Sequence, residues 1–326
     1  MDKKLNNRPE LANSEIVKRM PAVCSNELLA VEFFEVQRWG ESPCCPHCDS
    51  ANVYKMVGRD GKRNKRFLWR CRGCAEQYTV RIGTVYEESR LPLHHWAFAF
   101  WRAATSKKGV SALEIKRQCQ ISYKSALFLM NRIRCAMEQN PTDDGKFGGT
   151  VEVDETYIGG KAKNMHARKR KQVITGTGGT GKAMVLGMVQ REGKIHRRVI
   201  TDVSATTLKS AIKELVSTEA RIITDEHRSY NGLAKEFKGG HYVVRHMHHE
   251  YVHGDIYTNT AESSFALIKR GLMGVYHAVS KKHLPRYLAE FDFRWNTRKL
   301  NDGDRIVAAI KNSEGKRLVY ADSIRD

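Results

Sequence analysis

Two short cysteine pairs, Cys45-Pro46-His47-Cys48 and Cys71-Arg72-Gly73-Cys74, constrain most tightly what this chain can fold into. Each CxxC bends into a knuckle that offers two thiolates to one side of a tetrahedral ion. The 22 residues between the pairs suffice for the hairpins that join two knuckles. The spacing predicts a ribbon around a structural Zn²⁺ held by Cys45, Cys48, Cys71 and Cys74. A thioredoxin-type redox site would need one pair inside a βαβ pattern. Disulfides do not suit the reducing cytoplasm that is expected here, because the polar opening Met1 to Arg8 has no apolar signal segment. No run of about 18 apolar residues occurs, so no membrane span is expected. Cys24, Cys119 and Cys135 fall in apolar helical patterns and read as small core residues.

Charge narrows the partner. Lys and Arg number 56 against 36 Asp and Glu, a net charge of +20 with a pI near 9.7, the electrostatic footprint of a nucleic-acid binder. Between the knuckles, Arg59, Lys62, Arg63, Lys65 and Arg66 precede Phe67 and Trp69 and suit phosphate contacts. Before the ribbon, residues 1–20 read as a polar lead-in and Asn26 to Trp39 as a helix, with Leu28, Leu29, Val31, Phe33 and Phe34 available for packing. After it, Leu93, Trp96, Ala97, Phe100, Trp101 and Ala104 make an apolar helical stripe. Ser111-Ala112-Leu113-Glu114 is a capping box that starts a short helix, and Ser122 can cap a second helix running to Met137. Two helices joined so tightly resemble a helix-turn-helix. Ala126, Leu129, Ile133 and Met137 would be buried, leaving Lys124, Asn131, Arg132 and Arg134 for solvent or DNA; Lys124 and Arg132 are the expected DNA contacts.

Asn140-Pro141-Thr142-Asp143-Asp144-Gly145 is a turn-rich linker, beyond which a different pattern begins. Val151-Glu152-Val153-Asp154 alternates as a strand, with Val151 and Val153 on one face and Glu152 and Asp154 on the other. Asp154, at the strand end, is expected to bind a metal; Glu152 lies deeper in a supporting role, and Glu155 points the other way. A second strand, Arg221 to Asp225, also ends in a carboxylate. Between them lie a basic loop, an antiparallel hairpin and a helix capped by Ser204 with Leu208, Ala211, Ile212 and Leu215 inward. Glu262 opens another helix, and seven residues at about 100° each return Lys269 to within about 20° of it, about 10 Å along. Asp154, Asp225 and Glu262 form an oxygen-only set that suits Mg²⁺ or Mn²⁺. Two such ions can drive an in-line phosphodiester displacement. Gly176 to Lys182 imitates a P-loop, but Ala183 replaces the magnesium-binding hydroxyl and a strand follows, so nucleotide binding is not expected. His241, His246, His248, His249 and His253 fit no standard zinc spacing and read as a loop near the active site, His248 being the first to test. Leu284 to Lys299 is a last amphipathic helix.

The motifs CPHC and CRGC, SALEIKRQCQISYKSA, VEVDETYIGGK, ITDEHRSY, NTAESSFALIKRG and HLPRYLAEFDFRWN resemble the bacterial insertion-sequence DDE transposases of the zinc-ribbon, ISXO-two-like group. The resemblance covers about Phe34 to Lys299. It implies an α+β, multidomain chain: an N-terminal helical segment (1–40), a zinc ribbon (41–82), a helix-turn-helix region (90–139), an RNase H-like α/β catalytic domain with a mixed sheet (146–300) and a short charged tail (301–326). It further implies Asp154 and Asp225 as metal ligands, Glu262 or Asn259 as the third catalytic position, and Lys269 as a DNA contact with Arg270 beside it. Its partners would be double-stranded DNA, as terminal inverted repeats and target, and further copies of itself on paired ends, in a nucleoid-associated cytoplasmic setting. Tyr257 stands where the pattern has His, and Ser264-Phe265 replaces an aromatic pair. The competing readings are a DNA-binding regulator with an inert domain of this fold and a nuclease that hydrolyses without joining.

Overall fold

The computed structural model describes residues 15–160, 164–174, 179–245 and 254–324. The chain divides into two compact units: Met1–Met137 together with Thr297–Arg325, and Glu138–Asn296.

In the first unit, α1 (Glu15–Val23) and α2 (Glu27–Trp39) lead into a small antiparallel sheet of β1 (Val53–Lys55), β2 (Trp69–Cys71) and β3 (Gln77–Tyr78), ordered β1-β2-β3. Residues 15–23 are helical rather than a lead-in because Met20 and Val23 are buried in the core. The Asn26 side chain caps α2 by accepting from the Leu29 N–H, and Gly40, at φ 59°, ends it. Ala30, Val31, Phe33 and Phe34 make its buried face, whereas Leu28 and Leu29 stay exposed. Three helices follow: α3 (Leu93–Thr105), α4 (Ala112–Cys119) and α5 (Tyr123–Met137). The Ser111 hydroxyl caps α4 by accepting from the Glu114 N–H at 3.1 Å. The Glu114 carboxylate instead pairs with Arg102 at 2.9 Å. Gln120, in the left-handed region at φ 52°, turns the chain between α4 and α5.

The C-terminal residues are no tail. α10 (Asp302–Lys311) buries Ile306, Ala309 and Ile310, an i, i+3, i+4 stripe, against α2 and α3. A short α11 (Tyr320–Ile324) ends the described chain. This return changes the exposure of α5. Arg132 is 5% exposed, and its guanidinium donates to the carbonyls of Leu318 and Glu87 at 2.9 Å each. Arg134 and Asn131 are also buried, with Arg134 donating to Asn131 Oδ1. The expectation that Arg132 faces DNA is therefore corrected: its charge is spent on holding the C-terminal segment.

The second unit is built on a five-stranded mixed sheet of β4 (Thr150–Ile158), β5 (Ala183–Gln190), β6 (Ile195–Ile200), β7 (Arg221–Thr224) and β8 (His241–Val243). The order is β6-β5-β4-β7-β8; β5 runs antiparallel to both β6 and β4, and β4, β7 and β8 are parallel. This is the RNase H-like arrangement. A short α6 (Ala167–Val173) lies in the β4–β5 connection, and β5 confirms that a strand follows the P-loop imitation. On one face, α7 (Ala205–Leu215) packs Leu208, Ala211, Ile212 and Leu215 against Val151, Val153 and Ile222. On the other, α8 (Asn259–Gly271) and α9 (Leu284–Asn296) bring Phe265, Ile268, Leu284, Leu288 and Phe291 onto Ile158 and Val185. Gly187 permits the closest approach: a Cβ there would lie 2.7 Å from the Phe265 ring. At one edge Asp292 accepts from the Arg197 backbone N–H at 2.8 Å and from its guanidinium at 2.5 Å, a buried ion pair.

Candidate active site

Parallel pairing sets the geometry. Glu152 pairs with Ile223, and the same register carried two residues further brings Asp154 level with Asp225, just past the end of β7. Their carboxylates do meet, but with Glu155: Asp154, Glu155 and Asp225 each place an oxygen within 4.8 Å of the others. Asp154 Oδ1 accepts from the Glu155 N–H at 2.8 Å, and Asp225 Oδ1 from the His227 N–H at 3.0 Å. Asp154 lies in the middle of β4 and not at its end as expected, because β4 runs on beside β5 to Ile158 after β7 stops at Thr224. Glu155 leaves β4 on the opposite pleat, as alternation requires, yet its longer side chain reaches the cluster where β7 has ended. Burial raises its pKa to about 7, and the charges of Asp225 and Asp154 push the same way. Tyr230, buried beside Glu155, has its phenol pKa raised well above the ordinary value, chiefly by burial. Glu155 Oε1 is buried and, among the described residues, has no hydrogen-bond partner. Three mutually repelling, oxygen-only donors with one acceptor unsatisfied fit a hard divalent cation.

Glu152 has a different task. It is fully buried, and its carboxylate accepts from the backbone N–H groups of Thr260 (2.9 Å) and Ala261 (3.0 Å) and from the Thr260 hydroxyl (2.9 Å). These are free donors at the start of α8, which has no side-chain cap from its own Thr258. Arg191 completes the anchor, donating to Glu152 at 2.8 Å and to the carbonyls of Asp255 and Tyr257 at 2.6 and 2.9 Å, with its guanidinium over the Tyr257 ring. A strand carboxylate thus fixes the helix that carries the third expected position. Glu262, in the first turn of α8, is exposed and accepts from the Thr258 hydroxyl at 3.3 Å; it does not join the cluster of three. Asn259 is exposed at the first position of the same helix, and Lys269 and Arg270 are exposed two turns on. Glu155, Tyr230 and Arg191 had no place among the expected site residues. Adjacency to Asp154 was the available signal for Glu155; for Arg191 there was none, since its partners lie 39 to 66 residues away. His246, His248, His249 and His253 lie outside the described residues; His241 holds Thr224 at 2.9 Å.

In the first unit, the four cysteines converge. Cys45 and Cys74 sulfurs are 3.7 Å apart, those of Cys48 and Cys71 3.6 Å, and all four lie within 4.8 Å of one another. Thiolates about 2.3 Å from a tetrahedral ion stand about 3.8 Å apart, so the spacing fits Zn²⁺. Backbone N–H groups of Cys74 and Gly73 lower the Cys71 thiol to about 6, with the Gly73 N–H 3.2 Å from the sulfur. Trp39, Trp69 and Tyr78 pack edge to face beneath the knuckles. Of the basic residues between the pairs, Arg63 is committed to Glu35, while Arg59, Lys62, Lys65 and Arg66 are exposed. Lys124 is exposed at the start of α5, its ammonium 4.5 Å from the Tyr320 ring centroid.

Comparison with known proteins agrees with both halves. Residues 146–296 match the ISXO2-like transposase domain and residues 25–77 the transposase zinc-ribbon domain. A protein of Halobacterium salinarum described as an uncharacterized protein in transposable element ISH50 is 28% identical over 267 residues, 79% of this chain and 86% of that one. An uncharacterized transposase-like protein of Haemophilus influenzae is 29% identical over 118 residues, 36% of this chain and 93% of its own. The pre-cleavage Mos1 transpososome aligns over 92% of this chain and 98% of that one at 11% identity, but its TM-score of 0.26 carries no structural argument. With a ribbon whose cysteines stand at metal spacing and a mixed sheet whose adjacent parallel strands gather carboxylates, each matched by its own domain family, the chain belongs to the ISXO2-like insertion-sequence transposases that carry an N-terminal zinc ribbon.

Proposed function

We propose that this transposase cuts DNA at the terminal inverted repeats of its insertion sequence and joins the freed 3′-hydroxyls to target DNA. The observation that carries the reading is the meeting of Asp154 and Glu155, in the middle of β4, with Asp225, just past the end of the adjacent β7. Bound there, Mg²⁺ or Mn²⁺, as a pair of ions, would supply Lewis-acid activation of the attacking oxygen and charge neutralisation at the leaving oxygen. Asp154 and Asp225 hold the cation, and Glu155 contributes the unsatisfied buried oxygen. Asn259 or Glu262, from the α8 start that Glu152 anchors, supplies the remaining polar contact. Lys269 and Arg270, on the same helix, meet the DNA backbone. The ribbon cations and Lys124, opening the second helix of the α4–α5 pair, bind the terminal repeats, and two copies act on paired ends.

Full-length protein incubated with labelled terminal repeats, target plasmid and Mg²⁺ should nick the repeats and join them. Asp225→Ala should do neither while keeping repeat binding. Retention of both steps by that variant would refute the assignment. Hydrolysis without a joined product would identify a nuclease, and binding without cutting a regulator.

A further inference from the structure

The β4–β5 connection carries charge that neither the carboxylate site nor the sheet uses. From Gly159 to Lys182 there are seven Lys or Arg and no Asp or Glu. Four of the seven, Arg168, Lys169, Arg170 and Lys171, are consecutive in α6, where steps of about 100° spread them round the whole helix. Arg168, Arg170 and Lys171 are exposed. Such a helix has no apolar stripe with which to pack, and its like charges at i, i+3 oppose one another. The connection itself is anchored in the sheet. The connection leaves and re-enters the sheet at the Ile158–Ala183 pair, four residues beyond Asp154, or about 13 Å along the strand. Tyr157 and Gly179 close that root: a Cβ at Gly179 would fall 2.1 Å from the tyrosine ring, so only glycine lets the returning chain lie against it.

We infer that α6 grips the phosphate backbone of the duplex that is presented to Asp154 and Asp225. The inference rests on the DNA-cutting reading and adds a contact surface to it. A second copy of the chain is the wrong partner for a cationic helix, since the copy carries +20 itself. An anionic membrane is disfavoured because α6 lacks the Trp, Phe or Leu face that inserts between headgroups.

Salt dependence tests the grip without requiring catalysis. Binding of full-length protein to a fluorescein-labelled duplex of arbitrary sequence is measured by anisotropy between about 50 and 200 mM KCl. Replacing Arg168, Lys169, Arg170 and Lys171 with Ala should flatten the log–log salt slope by about 2, at about 0.9 per phosphate contact, since side chains spread round a helix cannot all face one backbone. Arg168→Lys with Arg170→Lys should leave it unchanged, and the melting temperature should be unaffected in both. A slope altered by less than about 1, or loss of binding to phosphatidylserine vesicles instead of DNA, overturns the inference. Position is read with Fe²⁺ and peroxide, which cut DNA held beside a carboxylate-bound iron. The four-alanine variant should lose this cutting about tenfold, at protein concentrations that saturate the duplex and with Fe²⁺ affinity intact; undiminished cutting overturns the placement. Cutting that survives Asp154→Ala would instead count against the metal reading, leaving the salt slope to judge α6.

Discussion

The cysteine cluster and the carboxylate cluster bind on opposite plans. The four sulfurs already stand at the spacing of a tetrahedral ion, 3.6 and 3.7 Å across the two pairs, and come from two turns seated on packed aromatic rings. Every coordination position of Zn²⁺ would be filled by protein, which is what a structural site needs. The carboxylates are gathered from the middle of β4 and the end of β7, Asp154 and Asp225 remain partly exposed, and a buried oxygen of Glu155 is unsatisfied among the described residues. That site has fewer ligands and more access, as a reacting centre must. The difference shows in how each is supported: the ribbon by its own knuckles, the carboxylates by a long-range anchor from Glu152 and Arg191 to α8.

Removing metal should separate the two most sharply. Chelation of Zn²⁺, or Cys71→Ser, should unfold residues 41–82, because structural zinc binding contributes about 10 kcal/mol or more to such folds. Amide exchange should show protection lost there and kept in β4, β5 and α7. Protection kept throughout would break the contrast. Next in size is Glu152→Ala, which strips the start of α8 of its acceptors and leaves Arg191 half-paired in the interior; a loss of about 3 kcal/mol is expected in urea titration. Strand transfer should fall further than Mn²⁺ affinity, since the lost group positions α8 and does not touch the ion. Gly187→Ala should cost about 1 to 3 kcal/mol by driving a methyl into the Phe265 ring, checked by the same titration. The last effect is protonic and confined to the metal-free chain. Glu155 has a folded pKa of about 7 against an ordinary 4.5, so between those values the folded chain keeps a proton that the unfolded chain has released. Without divalent ions, stability should fall as pH rises from 4.5 to 7 and level off above. Thermal melts of Glu155→Gln should show that portion of the slope removed.

These contrasts also explain what was legible in the chain. CxxC pairs declare themselves because their ligands are neighbours in sequence, and α7 because its apolar stripe is continuous. Asp225 was legible as a strand end, whereas Asp154 proved to be mid-strand because β4 continues beside β5 to Ile158. Glu155 was set aside by alternation, which fixes the pleat on which a side chain leaves but not how far it reaches where the neighbouring strand has stopped. Arg132 read as a surface cation because its acceptor on Leu318 lies 186 residues away. The α10 stripe of Ile306, Ala309 and Ile310 was present in a segment whose charged residues made it look like a tail.

Mn²⁺ binding to the zinc-loaded full-length chain, followed by electron paramagnetic resonance, tests the central claim most directly. The wild type should bind the ion at the carboxylate cluster, Asp154→Asn and Asp225→Asn should each abolish binding, and the Cys cluster should be unaffected in both. Undiminished Mn²⁺ binding by the two aspartate variants would contradict the assignment of this cluster as the divalent-ion site.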